Sequence, residues 1–259
     1  DAYYKSSLYS DYSQYFQPAQ SGRSFVQYYQ DTAGVVPNKP RDVQYVQPGA
    51  PIEKLGQLWN VGIGSYPRST TRKGLAVRMG KRSLFAPIRF VQAGKPKKRW
   101  IQKKTPWVQA RFSQEFSVAG LRYHRQIMHQ AAEKDSRFLI GKVSQKKYNQ
   151  ELKTVLAVFS PFGYGEVCFR DFEAIMNGAV LIKPDMSHVE TWPNVYVPNE
   201  TYIPCRWDGS DVSAAADRIF QDPALAAEMA ENAWQALSAA YDMLDERVGR
   251  FVREIQGFS

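Results

Sequence analysis

The sequence predicts an α/β protein built on a doubly wound parallel sheet flanked by helices. The first observation is that short apolar, β-branched runs alternate with amphipathic stretches from about residue 105 onwards. The second is a glycine-punctuated turn, Gly163-Tyr164-Gly165, which follows one of these runs and precedes a helical pattern. The third is size, because 259 residues of which 44% are apolar suffice for a sizeable core.

The elements of this sheet domain can be assigned in chain order. The predicted strands are WVQARF, RFLIGKV, TVLAVFS, AVLIK, VYVP and TYIP, with Asn199 in the turn between the last two. The predicted helices are Val118 to Glu133, KKYNQELK, Glu166 to Asn177, Asp211 to Gln221, and Pro223 to Ile255 with a break near Ala240. Because strands alternate with helices, the sheet is predicted to be parallel with right-handed crossovers.

The helix after the glycine turn has two predicted faces. The apolar face is formed by residues at three- and four-residue spacing, namely Cys168, Phe169, Phe172, Ile175 and Met176, and Gly178 follows where a left-handed C-terminal cap belongs. The polar face is formed by residues at steps of four, three and four, namely Glu166, Arg170, Glu173 and Asn177. Ligands of doubly wound sheets bind beyond the carboxyl ends of the strands, so this polar face is predicted to line a cleft.

The residue types at this cleft suit a nucleotide-sugar. The backbone amides of Gly163, Tyr164 and Gly165 and the positive end of the helix favour phosphate. Arg170 can bind phosphate or carboxylate with two parallel hydrogen bonds, and Glu173 can accept from two ribose or sugar hydroxyls. The alternative is a solvated helix face on which Arg170 and Glu173 form an ion pair at spacing three.

Four further residues are candidates because they follow predicted strands. Arg111 lies at the end of the first strand, where it can neutralise a diphosphate or form a surface salt bridge. Lys183 ends AVLIK and Asp185 begins the next loop, so either can reach a phosphate or hydroxyl. His188 either points at the nucleotide-sugar or belongs to a capped turn. The three histidines share no metal-ligand spacing, so no metal site is predicted, and no catalytic base is evident.

One stretch resembles a known family. Glu173 followed by AIMNGAVLIKPD resembles the pattern of glutamate, small residue, Gly-x-x-Val and aspartate that closes the donor-sugar motif of GT-B glycosyltransferases, and FRDFEA resembles their exostosin-like branch. The wider stretch, from SPFGYGEVCFRDFEA through LIKPDMSHVETWP to YVPNETYIPCRWD, is similar to bacterial group 1 glycosyltransferases. The likeness covers about residues 107 to 234.

The resemblance implies a domain organisation. Residues 105–240 would be a Rossmann-like C-terminal donor-binding domain, and 241–259 a helix crossing back. Residues 1–104 would be a partial N-terminal acceptor-side domain with a basic linker, in which RSFVQYY, VQYVQP and QLWNVGIG suggest strands. Because such enzymes need both halves, we expect this chain to bind its donor but to turn it over poorly.

The resemblance also implies an activity, which is transfer of a sugar from a nucleoside diphosphate-sugar to a hydroxyl of a glycan, lipid-linked or polysaccharide acceptor. It places Glu173 on the nucleotide ribose and assigns catalysis to Glu166, Arg170 and Glu173, without metal or cofactor. The usual pattern has two glutamates eight positions apart, whereas Gly165 stands eight before Glu173 and Glu166 seven before. The alternatives are a catalytically incomplete nucleotide-binding fragment and a basic nucleic-acid-associated protein.

A basic window runs from Lys54 to Gln114. It contains 15 of the chain's 34 Lys and Arg residues and no acidic residue, in a chain of net charge +9. Three interpretations remain open: a solvated, non-specific basic surface, a surface for an anionic membrane or lipid-linked acceptor, and nucleic-acid recognition, for which no RNP, KH or zinc-finger pattern is present. Two cysteines without paired spacing indicate a reducing compartment, so the predicted location is cytoplasmic, with the inner membrane face as a peripheral site.

Overall fold

The structure is a computed structural model that describes residues 3–17, 23–36, 46–47, 49–60, 96–100 and 103–257. The strands are β1 (Tyr3–Lys5), β2 (Ser7–Tyr9), β3 (Leu55–Gln57), β4 (Thr105–Gln109), β5 (Phe138–Leu139), β6 (Val155–Phe159), β7 (Val180–Pro184), β8 (Val189–Thr191) and β9 (Tyr202–Cys205). The α-helices are α1 (Ser24–Ala33), α2 (Ala119–Glu133), α3 (Gln145–Thr154), α4 (Phe169–Met176), α5 (Val212–Gln221), α6 (Pro223–Asp242) and α7 (Leu244–Ile255).

The central feature is a five-stranded sheet in the order β5-β4-β6-β7-β9, and every neighbouring pair is parallel. The chain leaves β4 for the edge strand β5 and then returns to β6 on the other side of β4. The direction in which strands are added therefore reverses between β4 and β6, and such a reversal opens a crevice at the carboxyl ends of the strands. The predicted α/β class, a Rossmann-like parallel sheet flanked by helices, is confirmed.

Both faces of the sheet are buried. Neighbouring side chains of β6 and β7 point to opposite faces, so Val158 and Leu181 join one apolar cluster while Phe159 and Ile182 join the other. Burial on both sides explains why these strands are continuous apolar runs rather than alternating ones.

The N-terminal residues pack against this sheet domain. RSFVQYY, which suggested a strand, forms helix α1, because Phe25, Val26 and Tyr29 lie on one helical face that packs into the core beside α2. β1 pairs with β3 in parallel, and β2 pairs with β8 in antiparallel orientation. The suggested strand QLWNVGIG is represented only by the end of β3, its residues 61–64 lie outside the described residues, and so does most of VQYVQP.

Three predictions in the second half need correction. Helix α4 begins at Phe169 rather than Glu166, because Cys168 is its N-cap and the Asp171 carboxylate accepts a hydrogen bond from the Cys168 amide. Phe169, predicted in the core, is 59% exposed. VYVP forms only an isolated bridge between Pro198 and Tyr202.

The ends of other elements agree with prediction. Asn199 has a positive φ in the turn before β9, and Asp222 caps α6 with proline in its first turn. The break in the last long helix falls at Met243, close to the predicted position. In the parts of the chain that the structure describes, no helix is long and apolar enough to cross a membrane.

The C-terminal end of α4 is covered by the described part of the basic window. The backbone N–H of Arg99 donates to Met176 O (2.8 Å), the Trp100 indole donates to Ile175 O (3.3 Å), and Lys104 Nζ donates to a further carbonyl, that of Asn177 (2.5 Å). Positive charge is favourable there because the helix dipole is negative at its C-terminus. Residues 61–95 of the window lie outside the described residues, so its partner stays a prediction.

Replacing Gly178 by alanine is expected to destabilise the fold. Gly178 has φ +65°, and a Cβ there would lie 2.6 Å from the Trp100 ring. The left-handed backbone costs about 1 kcal/mol for a residue with a side chain, and the clash adds about 1 to 3 kcal/mol. Gly141→Ala is the matched control, because Gly141 also has positive φ (+83°) but has open space around its Cβ position. Urea unfolding should show a larger loss for Gly178→Ala, and equal losses would contradict the packing of Trp100 described above.

Candidate functional site

The candidate site lies at the carboxyl ends of the sheet strands. The segment after β4 carries Arg111, the segment after β6 (160–167) contains the glycine turn, and the segment after β7 contains Asp185 and His188. All of these strands are parallel, so their carboxyl ends meet at one edge of the sheet.

A buried arginine holds the glycine turn against the segment after β4. Arg125 of α2 is 5% exposed, and its guanidinium donates to Phe162 O (2.5 Å) and Ser113 O (3.4 Å). A Cβ on Gly163 would lie 3.4 Å from the Arg125 guanidinium and 3.2 Å from Cys168 Sγ, so glycine allows this close approach. Arg125 therefore ties together the two segments on either side of the strand-order reversal. Its partners are backbone carbonyls distant in sequence, so no sequence motif marks it.

His124 also contacts this segment, through the backbone of Phe162. Its Nε2 accepts the Phe162 backbone N–H (3.0 Å), and its Nδ1 lies 2.7 Å from the Tyr29 hydroxyl, which in turn donates to Trp207 O. Because a backbone N–H can only donate, Nε2 carries no proton and Nδ1 donates to Tyr29. The ring is therefore neutral.

This arrangement predicts acid sensitivity. Burial and the charges of Arg125 and Lys183 hold the pKa of His124 well below its ordinary value, which is about 6.5. At a pH above about 6.5 the ring is neutral in both the folded and the unfolded state, so its full contribution to the free energy of unfolding is present. As the pH falls below it, the unfolded state binds the proton first, and stability drops by up to about 1.4 kcal/mol per pH unit. Urea unfolding between pH 7 and 5 should show this fall in the free energy of unfolding, and the fall should be smaller in His124→Gln. The same dependence on pH in the parent and the variant would contradict the assigned neutral ring.

The polar face of α4 meets α3 and the segment after β4. Glu173 accepts a hydrogen bond from the Tyr148 hydroxyl (2.7 Å), and Arg170 donates to Arg111 O (3.0 Å). The Nε of Arg170 is buried without a hydrogen-bond partner in the structure. Burial, followed by the charge of Glu173, raises the pKa of Tyr148 above its ordinary value, so its hydroxyl stays protonated and fixes the carboxylate. Tyr148 was missed because its role depends on how α3 packs beside α4.

Arg111 is not free to neutralise a diphosphate by itself. Its guanidinium forms two hydrogen bonds with Glu151 (2.8 and 3.0 Å) and also donates to Ile140 O. The salt-bridge alternative for Arg111 is therefore the one observed. Asn177, predicted on the polar face, is buried and its amide donates to Glu173 O (2.8 Å) at the helix end.

Lys183 does not reach the cleft in this structure. Its side chain is 0% exposed, its Nζ lies 3.1 Å from Asp171 Oδ2, and it donates to Ser160 O (3.3 Å). The same Asp171 carboxylate accepts from the Ser160 and Tyr196 hydroxyls (2.5 and 2.7 Å). Lys183 thus belongs to a buried polar network under the glycine turn, and its assignment as a phosphate contact is corrected on this geometry.

Asp185 and His188 lie beside this network. Asp185 accepts from the Tyr202 and Ser187 hydroxyls (3.2 and 2.8 Å). The ring of His188 packs edge-on against Trp207 with 4.7 Å between ring centroids, and its Nε2 is 3.8 Å from Glu166 Oε1. That distance exceeds an ordinary hydrogen bond, so the contact is an ion pair when the ring is protonated.

A cleft of about 350 Å³ lies beside the glycine turn, which contributes to its lining. Tyr164, Gly165 and Glu166 form one wall, and N-terminal residues from Lys5 to Tyr9 form the wall opposite. Burial pushes the pKa of Glu166 upward, but His188, backbone hydrogen bonding and the charge of Lys183 outweigh it, so the pKa lies below its ordinary value. The carboxylate is therefore ionised at neutral pH.

The predicted site residues consequently occupy three places. Arg111, Arg170 and Glu173 lie together at the strand-order reversal, and Tyr164, Gly165 and Glu166 line the adjacent cleft, with Gly163 at the base of the turn. Lys183 and Asp185 lie in the layer beneath. Among the residues that the structure describes, no group of three His, Cys, Asp or Glu side chains is arranged to hold a metal ion.

Comparisons with known proteins found structural similarity over part of this chain. No protein-family model and no curated protein matches the chain. The crystal structure of TarM is similar over 57% of this chain and 35% of its own, at 16% identity and a TM-score of 0.40. The C-terminal domain of a glycosyl transferase group 1 family protein (LpcC) from Francisella tularensis is similar over 57% of this chain and 94% of its own, at 12% identity and a TM-score of 0.37.

The chain thus spans about a third of the length of TarM and corresponds to nearly the whole of the LpcC domain. Because both TM-scores are below 0.5, the Rossmann-like fold of this chain is assigned from its own parallel sheet and strand order.

Proposed function

We propose that this chain binds a nucleoside diphosphate-sugar at the strand-order reversal and belongs to an enzyme that transfers the sugar to a hydroxyl. The observation that carries the proposal is the juxtaposition of Arg170 and Glu173 beside the glycine turn, at the edge where doubly wound sheets bind ligands. The sequence resemblance assigns the same helix to the donor.

Each residue of the proposed donor site has a distinct role. Glu173, oriented by Tyr148, accepts hydrogen bonds from the ribose hydroxyls. Arg170 has a guanidinium with an unpartnered Nε and binds the diphosphate together with amides of the glycine turn. The amide of the N-cap residue Cys168 is already bonded to Asp171 and that of Gly163 to Gly165 O (2.9 Å), so the proposed diphosphate contacts are the amides of Tyr164 and Gly165. Glu166 lies on the cleft side, where the transferred sugar would meet the acceptor, and can accept from hydroxyls of either sugar.

In the proposed reaction the bond between the anomeric carbon and the diphosphate oxygen breaks, and its electron pair leaves with the diphosphate. The acceptor oxygen forms a bond to that carbon, and its proton passes to an oxygen of the leaving diphosphate. Positive charge at Arg170 and preorganised amides stabilise the developing charge on the leaving diphosphate. No metal is part of the proposal, in which Arg170 and the amides of the glycine turn bind the diphosphate.

The finer assignments are also proposals. The acceptor is a glycan, a polysaccharide end or a lipid-linked sugar, and the basic window brings the chain to an anionic membrane surface on the cytoplasmic side. The single chain carries the donor site, and its rate of transfer depends on how much of the acceptor site it contains.

A thermal-shift screen of nucleoside diphosphates and their sugars tests the proposal. A ligand that binds only the folded state raises the unfolding temperature by mass action, so at least one nucleotide class should stabilise the chain. Product analysis with the stabilising donor then separates an enzyme, which hydrolyses or transfers the sugar, from a binding module, which leaves it intact. Absence of stabilisation by every nucleotide at millimolar concentration would overturn the proposal.

A further inference from the structure

The wall of the cleft opposite the glycine turn is built from N-terminal residues held in place on both sides. β1 pairs with β3, and the Leu58 N–H donates to Lys5 O (2.8 Å). β2 pairs with β8, which follows β7 of the main sheet. The backbone that carries Lys5 and Ser7 in the cleft wall is therefore fixed in position by strand pairing.

Lys5 is a half-buried cation that lies over two tyrosine rings. Its Nζ lies 4.8 Å from the Tyr15 ring centroid and 5.7 Å from that of Tyr9, and among the described residues no carboxylate lies within 4 Å of it. Burial lowers the pKa of Lys5, and Glu166 across the cleft opposes this shift only in part. An anion placed beside Nζ would offset the cost of removing water from the ammonium.

The remaining lining suits a sugar. The cleft carries several hydroxyl groups and one ionised carboxylate, contributed by Ser6, Ser7, Tyr9, Tyr15, Tyr164 and Glu166. A carboxylate can accept from two neighbouring sugar hydroxyls, and tyrosine rings provide flat surfaces for a sugar face. A volume of about 350 Å³ accommodates one sugar ring with a phosphate.

We propose that this cleft binds a phosphorylated sugar, with the phosphate at Lys5 and the sugar hydroxyls at Glu166. The inference deepens the proposed function, on which it rests, by assigning the acceptor to the class of phosphate-bearing glycans. Arg170 and Glu173, where the nucleotide is proposed to bind, are not among the residues that line the cleft. The phosphate at Lys5 is therefore that of the acceptor and not the diphosphate of the donor.

Calorimetric titration of the full chain with inorganic phosphate, hexose 1-phosphates, hexose 6-phosphates and the unphosphorylated hexoses tests this assignment. At least one hexose phosphate should bind more tightly than its unphosphorylated hexose. Lys5→Met, which keeps the stem over Tyr15, should weaken that binding about tenfold or more, since hydrogen bonds to charged groups contribute that much. Lys5→Arg should restore it, and Lys142→Met, at an exposed lysine outside the cleft, should leave it unchanged.

Nucleoside diphosphate is titrated in parallel to identify the source of the phosphate. Lys5→Met should bind it within about twofold of the parent, because a contact distant from the nucleotide contributes little. An equal loss for nucleotide and hexose phosphate would overturn the inference by placing the donor diphosphate at Lys5. Absence of any hexose phosphate binding, or binding that Lys5→Met leaves intact, would also overturn it. Failure of the proposed function is distinguished because the parent would then bind no nucleotide at all.

Discussion

Glu173→Ala is expected to weaken nucleotide binding by roughly 10- to 100-fold, because it removes a charged acceptor for the ribose hydroxyls. The Glu173 carboxylate is half-buried and fixed by the Tyr148 hydroxyl, so it is oriented before the ligand arrives. Calorimetry with the nucleotide that stabilises the parent measures this loss.

Two control variants separate binding from folding. Glu173→Gln keeps an acceptor oxygen for Tyr148 while removing the charge, so it should fold normally and lose less affinity than Glu173→Ala. Glu228→Ala, at an exposed position of α6, should bind like the parent. Unchanged affinity of Glu173→Ala for every nucleotide that the parent binds would show that the α4 face is not the donor site.

Lys183→Met is expected to cost about 3 to 5 kcal/mol of the free energy of unfolding, because it leaves the buried Asp171 carboxylate without its cation. Both side chains are 0% exposed, and Asp171 also caps α4 and accepts from Tyr196. The loss should therefore affect α4 and the glycine turn together. Urea unfolding followed by far-ultraviolet circular dichroism measures the free energy.

The double variant Lys183→Met with Asp171→Asn provides the control. Removing both charges should cost less than the sum of the two single losses, since neither charge is then buried alone. Additive losses, or a Lys183→Met loss below about 1 kcal/mol, would place this ion pair among those that contribute little.

The strand β6, the glycine turn and β7 could be predicted because their signals are local. Continuous apolar runs mark β6 and β7. Gly178 marks the helix end because glycine readily adopts the positive φ found there. The start of α4 was also marked locally, by Asp171 three residues after the cap, but helical periodicity alone extended the helix back to Glu166.

The supporting residues could not be predicted because their partners are distant in the chain. Arg125 binds a carbonyl 37 residues away, and Tyr29 meets His124 across 95 residues. A strand-end lysine such as Lys183 looks alike in sequence whether it faces a cleft or a buried acid. Only the register of β7 beneath α4 decides between these positions.

Hydrogen exchange of the whole chain, with and without the nucleoside diphosphate that stabilises it most, tests the donor site most directly. Bound nucleotide should slow exchange of the backbone amides in the glycine turn and in α4, and protection should fall in Glu173→Ala at the same ligand concentration. Protection confined to other segments, such as 96–104 of the basic window, or no change at the glycine turn under saturating nucleotide, would contradict a donor site at the strand-order reversal.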